Sequence, residues 1–196
     1  MTPNLWEQFR RHFQEAGGQP YATTATKAVD LLQTIIAGAN GKQLLFEASA
    51  ISEFSLHPEA WLPESSFSIT PAPTPKGWDR KRRLERLLTV DMVVSTADFL
   101  IAETGSALVI LQKHPGQWHL WLPPGIILLA APHQLVDSLT TAFHRLAQQS
   151  SLLQQGYVLL TGPSKTADIE KRLVMGMHGP RMVYVLLIED APFPGG

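Results

Sequence analysis

The period of the apolar positions along this chain shifts repeatedly, and each shift marks a change of element. Leu5, Trp6, Phe9 and Phe13 share one stripe of a helix. Asn4, with Glu7 three residues on, supplies a capping-box-like start, and Gly17-Gly18 supplies an end. A second helix is predicted from near Thr24, burying Ala25, Ala28, Val29, Leu32, Ile35 and Ile36 and stopping before Gly38 and Gly41. Gln43 to Phe46 reads as a short strand. Residues 50–78 read as irregular, and Pro71-Ala-Pro-Thr-Pro75 can be neither helix interior nor central strand, so it is expected to be an extended surface connection. Asp79 is placed to cap a short helix with Leu84, Leu87 and Leu88 on its apolar face.

From Val90 the pattern becomes strand–helix alternation. Met92 to Val94 and Ala107 to Leu111 read as strands, and His114-Pro115-Gly116-Gln117 as a turn to a partner strand ending near Leu122. Ile126 to Ala130 is apolar throughout, which suits a strand buried on both faces. Leu135, Leu139, Ala142, Phe143 and Leu146 predict one helix face, and Tyr157 to Leu160 and Val183 to Ile188 predict the last strands. The expected class is α/β: a largely parallel sheet with helices on both faces. One domain over residues 1–196 is expected, with 1–88 a helical part plus Pro-rich connection and 90–190 the core.

Composition narrows the chemistry. Hydrophobic residues make up 44% and charged residues 17%, an ordinary globular balance. The longest apolar runs fall far short of the roughly 18 residues that span a bilayer. Glu7, Arg10 and Arg11 interrupt the first segment, so neither a signal peptide nor membrane insertion is expected, and a cytoplasmic location is. With no cysteine in 196 residues, this chain has no disulfide, thiolate nucleophile or thiolate ligand for zinc or iron–sulfur clusters. A formal charge of -1 offers no global attraction to nucleic acid. Arg80-Lys-Arg-Arg83 with Arg86 reads as the solvated face of a short helix, with no aromatic stacking platform beside it. His12, His57, His114, His119, His133 and His144 show no metal-ligand spacing, so no metal site is expected.

Three segments could carry chemistry. Thr161-Gly-Pro-Ser-Lys-Thr-Ala-Asp-Ile-Glu170 follows an apolar strand, and Ser164 or Thr166 could cap a short helix through Ile169. A helix N-terminus there would offer unpaired N–H groups to an anion, with Gly162 in the turn and Ser164, Lys165, Thr166 and Asp168 around it. It is not a Walker A loop, and a capped turn with a surface lysine is the plain alternative. Ser95 to Ser106 holds Asp98 and Glu103 among apolar neighbours. Thr104-Gly105-Ser106 could let backbone approach a ligand, and the alternative there is a tight turn with a structural carboxylate. His178-Gly179-Pro180-Arg181 adds an imidazole and a guanidinium able to fork a carboxylate or phosphate.

These blocks, taken in order, resemble the LUD domain family of LutC/YkgG-type lactate-utilisation proteins. The likeness rests on Ala97-Asp-Phe-Leu-Ile-Ala-Glu-Thr-Gly-Ser106, on Leu122-Pro-Pro124, and on Gly162 to Glu170 followed by Leu173-Val-Met-Gly-Met-His-Gly-Pro-Arg181. It covers about residues 90–190. The resemblance implies a fold like the NagB/RpiA/CoA-transferase and 5-formyltetrahydrofolate cyclo-ligase group. It also implies an accessory role in oxidising L-lactate to pyruvate, beside iron–sulfur subunits that carry the clusters. Ser106 stands where the family usually has Thr, and Gly125-Ile126-Ile127 follows the proline pair where the family usually has a His. A binding or regulatory module for an anionic small molecule, or a stand-alone acyl- or phosphoryl-transfer enzyme with Glu103 as base or nucleophile, are the other readings. The ligand is expected in a crevice beyond the carboxyl ends of the strands, between Glu103–Ser106 and Gly162–Asp168, with His178–Arg181 closing one side.

Overall fold

In the computed structural model the described residues are 4–70, 80–111, 120, 122–148, 156–167, 173–175 and 179–191. Helix α1 (Leu5–Glu15) opens the chain, and the Asn4 side chain accepts from the Glu7 amide at its start. The Glu7 carboxylate does not complete a capping box but pairs with Arg10 at 2.6 Å. Then come β1 (Gln19–Thr23), α2 (Ala25–Gly38), β2 (Leu44–Glu47), α3 (Ala48–Phe54), β3 (Phe67–Thr70) and α4 (Arg80–Leu87). The second half holds β4 (Met92–Thr96), β5 (Phe99–Ile101), β6 (Ser106–Ile110), β7 (Gly125–Ala130), β8 (Leu135–Val136) and α5 (Leu139–Ala147). It ends with β9 (Tyr157–Leu160), β10 (Lys165–Ala167), β11 (Leu173–Met175) and β12 (Met182–Ile188).

Six strands in the order β1-β12-β7-β4-β2-β3 form one sheet in which every pairing is parallel. Alternation along its strands divides the core. Leu44, Phe46, Met92, Val94, Ile127, Leu129 and Leu186 point to one face, where Ala28, Leu32, Ile35 and Ile36 of α2 and Ala50 of α3 cover them. Leu45, Val93, Ile126, Leu128, Val185 and Leu187 point to the other, against Phe9 and Phe13 of α1. Each such fully buried aliphatic side chain contributes roughly 1.5–3 kcal/mol, so these central strands dominate the apolar core. The sheet is α/β with helices on both faces, as the alternation predicts.

On the α1 side lies a second sheet, β8-β5-β6-β9, mostly antiparallel. Leu100, Ala107, Val109 and Leu160 turn inward to the α1 face, while Ile101, Leu108, Ile110 and Val136 turn outward under Ala142 and Leu146 of α5. The layers therefore run α2/α3, parallel sheet, α1 with the second sheet, and α5.

Several expectations are corrected. Gln19–Thr23, where the sequence pattern assigns no element, is a strand: Pro20 lacks an N–H and mixed polarity hides the period, both compatible with an edge strand. Residues 50–54 and 67–70, within the stretch expected to be irregular, belong to helix and strand. Ala25 is exposed. The apolar face expected on α4 is only partly covered: Leu87 packs on the core, whereas Leu84 is 38% and Leu88 63% exposed. Leu135 is not in α5. It pairs with Leu100 as β8, and the helix starts after Ser138, whose hydroxyl accepts from the Thr141 amide at 3.2 Å. The segment Pro71–Pro75, Asp79 and the turn His114–Gln117 lie outside the described residues.

Candidate functional site

Glycines at positive φ bring the motif-bearing segments together on the end of α1. Gly105 (φ 62) ends the turn between β5 and β6, and a Cβ there would meet the Phe13 amide nitrogen and the His12 carbonyl carbon. His12 Nδ1 lies 2.9 Å from the Ala102 carbonyl oxygen, fixing the same turn to the helix. Gly162 follows β9, and a Cβ there would lie 2.9 Å from the Ala16 carbonyl oxygen. Only residues without side chains allow both approaches.

Pairing of β6 with β9 then sets Ser106 beside Thr161. Their hydroxyl oxygens are 2.8 Å apart, and the Thr104 hydroxyl donates to Ser106 at 2.9 Å. Ser106 is buried and Thr104 exposed, so three hydroxyls lead from the surface inward. The next turn joins the third segment: the Ser164 amide donates to the Pro180 carbonyl at 2.9 Å, and a Cβ on Gly179 would touch the Ser164 side chain. Arg181 is exposed, and its amide donates to the Pro124 carbonyl at 2.7 Å, as does that of Met182 at 3.0 Å. Segments 104–106, 122–124, 161–164 and 179–181 thus form one loop cluster.

Two features differ from expectation. The cluster sits at the amino end of the parallel sheet, not its carboxyl end, because Pro124 and Arg181 immediately precede β7 and β12. The segment after Ser164 is not a helix: Lys165–Ala167 pairs antiparallel with Leu173–Met175, so the expected helix N-terminus is replaced there by a two-stranded hairpin. Ser164 and Thr166 fit a turn and a strand as readily as a cap, and pairing with a partner strand decides between them. Asp168 and His178 lie outside the described residues.

Both carboxylates of the central segment have structural partners. Asp98 Oδ2 accepts from the Ile110 amide at 2.7 Å. Glu103 is exposed, its amide donates to Asp137 O, and its Oε2 accepts from the Leu139 amide at 3.4 Å at the start of α5. Beside it, Asp137 is held below the ordinary carboxylate range, first by the Thr141 hydroxyl and further by the Ser138 amide and hydroxyl. Glu103 therefore stands on the N-terminal turn of α5, where a carboxylate is favoured by the helix dipole. The position of the His usual in the family falls among Gly125, Ile126 and Ile127, and here both isoleucines are core residues.

The sequence reading missed a buried carboxylate at the opposite end of the sheet. Glu47 closes β2 at 3% exposure, and Ser95 of β4, with none of its surface exposed, donates its hydroxyl to Glu47 Oε2. On the sheet's other face the Thr96 hydroxyl donates to Ser49 Oγ at 3.5 Å. A glutamate after three apolar residues reads as a strand end, and only the register Leu45–Val93 and Phe46–Val94 reveals that it is enclosed. Among the described residues, no group of three or more His, Asp or Glu is arranged to hold a metal ion.

A parallel α/β sheet backed by a second, mostly antiparallel sheet, with family-like blocks joined at one end, defines the class. The LUD domain profile matches residues 6–188, and the chain belongs to that family. It is similar to Lactate utilization protein C of Bacillus pumilus, 25% identical over 193 residues that span 95% of this chain and 79% of that protein. The corresponding protein of Anoxybacillus flavithermus is 24% identical over 174 residues, covering 86% and 73%. That of Halalkalibacterium halodurans is 29% identical over 119 residues, covering 58% of this chain and 52% of the relative, so there the chain spans about half of the protein it matches. A crystal structure of a DUF162 family protein from Deinococcus radiodurans shares the fold, with a TM-score of 0.66, 16% identity, and 93% and 95% of the two chains covered. Among the described residues no helix is long and apolar enough to cross a membrane.

Proposed function

We propose that this chain serves lactate utilisation as an accessory subunit, binding a small anion while other subunits carry the electrons. The observation that carries this reading is the family match over residues 6–188, together with similarity to lactate utilization C proteins along 95% of the chain. Lactate oxidation needs an electron acceptor, and a chain without cysteine lacks the usual ligands for iron–sulfur clusters. The clusters therefore belong to partner subunits, and this chain itself brings no redox cofactor. Its anion site is the loop cluster: hydroxyls of Thr104, Ser106, Thr161 and Ser164, backbone at Gly105, Gly162 and Gly179, and the Arg181 guanidinium as a fork for carboxylate. Lys165, Thr166, Asp168 and His178 complete the set in sequence. Glu103 is an α5 capping group in this reading, not a nucleophile.

The test is genetic and biochemical. Deleting the gene in its native host should abolish growth on L-lactate, and the tagged chain should co-purify with iron-containing subunits. Unimpaired growth together with an iron-free, solitary chain would overturn the proposal.

A further inference from the structure

The second sheet ends on an edge of a kind that folded chains usually protect. Among the described residues no strand pairs with the outer side of β9, while β8 at the other edge is only two residues long. Exposed edges are normally blunted by short length, charge, proline or a bulge. At the edge of the parallel sheet, β1 carries Pro20. By contrast β9 reads Tyr-Val-Leu-Leu, and its register against β6 is unbroken from Ala107–Leu160 to Ile110–Tyr157. The nearest charged residues in sequence are Arg145 and Lys165. Tyr157 is 45% and Leu159 42% exposed. The Leu111 amide donates to the Gly156 carbonyl, which fixes the phase of the ladder. Residues 156, 158 and 160 therefore bond to β6, and the N–H and C=O groups of Tyr157 and Leu159 point away from it. The same two residues thus offer backbone at the edge and exposed apolar side chains on the α5 face, where the Tyr157 ring meets Phe143 edge-on with centroids 4.9 Å apart.

We propose that a second copy of this chain covers this edge, β9 pairing antiparallel with its twin about a two-fold axis at Val158. Tyr157 then lies opposite the partner's Leu159, and Leu159 opposite the partner's Tyr157. Both are hydrogen-bonded pairs, so the outward N–H and C=O groups of all four residues are satisfied. The edge fits itself. One aromatic and one aliphatic residue flank Val158, so the two-fold sets each ring against an aliphatic side chain, a favourable cross-strand pair. Val158, half-buried on the α1 face, meets the partner's Val158 at the axis. With no charge between Arg145 and Lys165, two copies meet here without repulsion, and an acidic or basic partner finds nothing to complement. The contact is isologous and closes on itself. In the joined sheet, four strands from each copy, the only edges left are those of the two-residue β8. So short an overlap buries well under the roughly 1,200–2,000 Å² of stable interfaces, so the dimer dissociates on dilution. Thr161 and Gly162 of the loop cluster lie outside the paired residues.

Sedimentation velocity of the full chain, from low micromolar to about 1 mM, the range of weak association, should show the mass rising from one chain towards two. Leu159→Lys places a charge on each side of the axis. It should hold the mass at one chain throughout, with the circular dichroism of the parent. Register is read by cysteine, which the chain lacks. Val158→Cys puts two thiols at a non-hydrogen-bonded pair, where Cα atoms lie roughly 4.5 Å apart and within the span of a disulfide. Air oxidation of concentrated protein should then link most chains in pairs. Leu159→Cys sets the two thiols out of step along the strands, more than about 7 Å apart and beyond that span, and should link far more slowly. The cysteine pair decides the matter even where the lysine variant folds poorly. A chain that stays single at every concentration, a folded Leu159→Lys variant that dimerises like the parent, or a Val158→Cys variant that links no faster than Leu159→Cys would each overturn the assignment.

Discussion

The two ends of the parallel sheet are built on different principles. At the amino end, loops are held by backbone: Gly105 and Gly162 lie against the end of α1, and carbonyls of Pro124 and Pro180 accept from amides of Arg181, Met182 and Ser164. At the carboxyl end between β2 and β4 the polar content is in side chains, with Glu47 and Ser95 enclosed in the core. The contrast shows that a marked motif and a buried polar group are different kinds of signal. Gly and Pro blocks record where the backbone must bend or approach closely, which gives geometry before chemistry. A lone glutamate in a strand records nothing locally, yet a folded chain retains its cost.

If that contrast is right, the amino end should be the more fragile in folding. Gly105→Ala puts a Cβ at positive φ and within 2.7 Å of the His12 carbonyl carbon, where neither backbone can yield cheaply. Left-handed strain of roughly 1–2 kcal/mol and overpacking of roughly 1–3 kcal/mol add to a loss of about 2–5 kcal/mol. For a chain of this length that lowers Tm by roughly 10 °C, readable by circular dichroism. A variant as stable as the parent would show that the turn can move off α1, and the account of the loop cluster would fail with it.

The carboxyl end should respond in the opposite way. Ser95→Ala removes the hydroxyl that donates to Glu47 and takes one hydrogen bond from a buried carboxylate, at a cost of about 1–3 kcal/mol. Replacing both groups, Glu47→Leu with Ser95→Ala, should recover most of that loss or even exceed the parent, because an apolar pair carries no desolvation cost. Urea midpoints of the three proteins decide it. Were the double variant less stable than Ser95→Ala alone, Glu47 would hold the fold through contacts beyond Ser95.

How much of this the sequence displayed depends on whether the signal was local. β4, β7 and β12 were legible because their apolar runs need no partner to be recognised. α1 and α2 were legible from their stripes and their glycine ends. β5 and β8 are three and two residues long, too short to show a period, and exist because each pairs with a neighbour. The segment around Lys165–Ala167 looked like the start of a helix because the hydroxyls of Ser164 and Thr166 suit a cap; pairing with Leu173–Met175 made it a strand. The adjacency of Ser106 and Thr161 was anticipated in outline, while the end of the sheet on which it lies was not, since that follows from the second sheet's orientation. Glu47 was wholly hidden, because its burial is a property of β4 as much as of β2.

The smallest expected effect concerns pH and again sets the carboxyl end apart. His133 lies in the turn leaving β7, where Arg145 donates to its carbonyl at 3.0 Å and Gln134 bonds the Ala97 carbonyl at the end of β4. Its imidazole is held below the usual histidine pKa of 6.5, first by desolvation and then by the positive charge of Arg145. The folded state therefore favours the neutral ring. Above 6.5 the ring is neutral in both folded and unfolded chains, and the turn keeps its full stability. As pH falls through 6.5 the unfolded chain takes up a proton first, so stability declines until the folded ring also protonates, and below that point the loss is complete. Solvent reaches much of the ring, so screening keeps the effect small. Urea midpoints of the parent and of His133→Gln, measured between pH 7.5 and 5, should part in that direction, the parent losing stability relative to the variant as the solution is acidified. Parallel midpoints across the range would mean that the ring is as well solvated folded as unfolded, and the turn after β7 would then lie open to water rather than closed against Arg145.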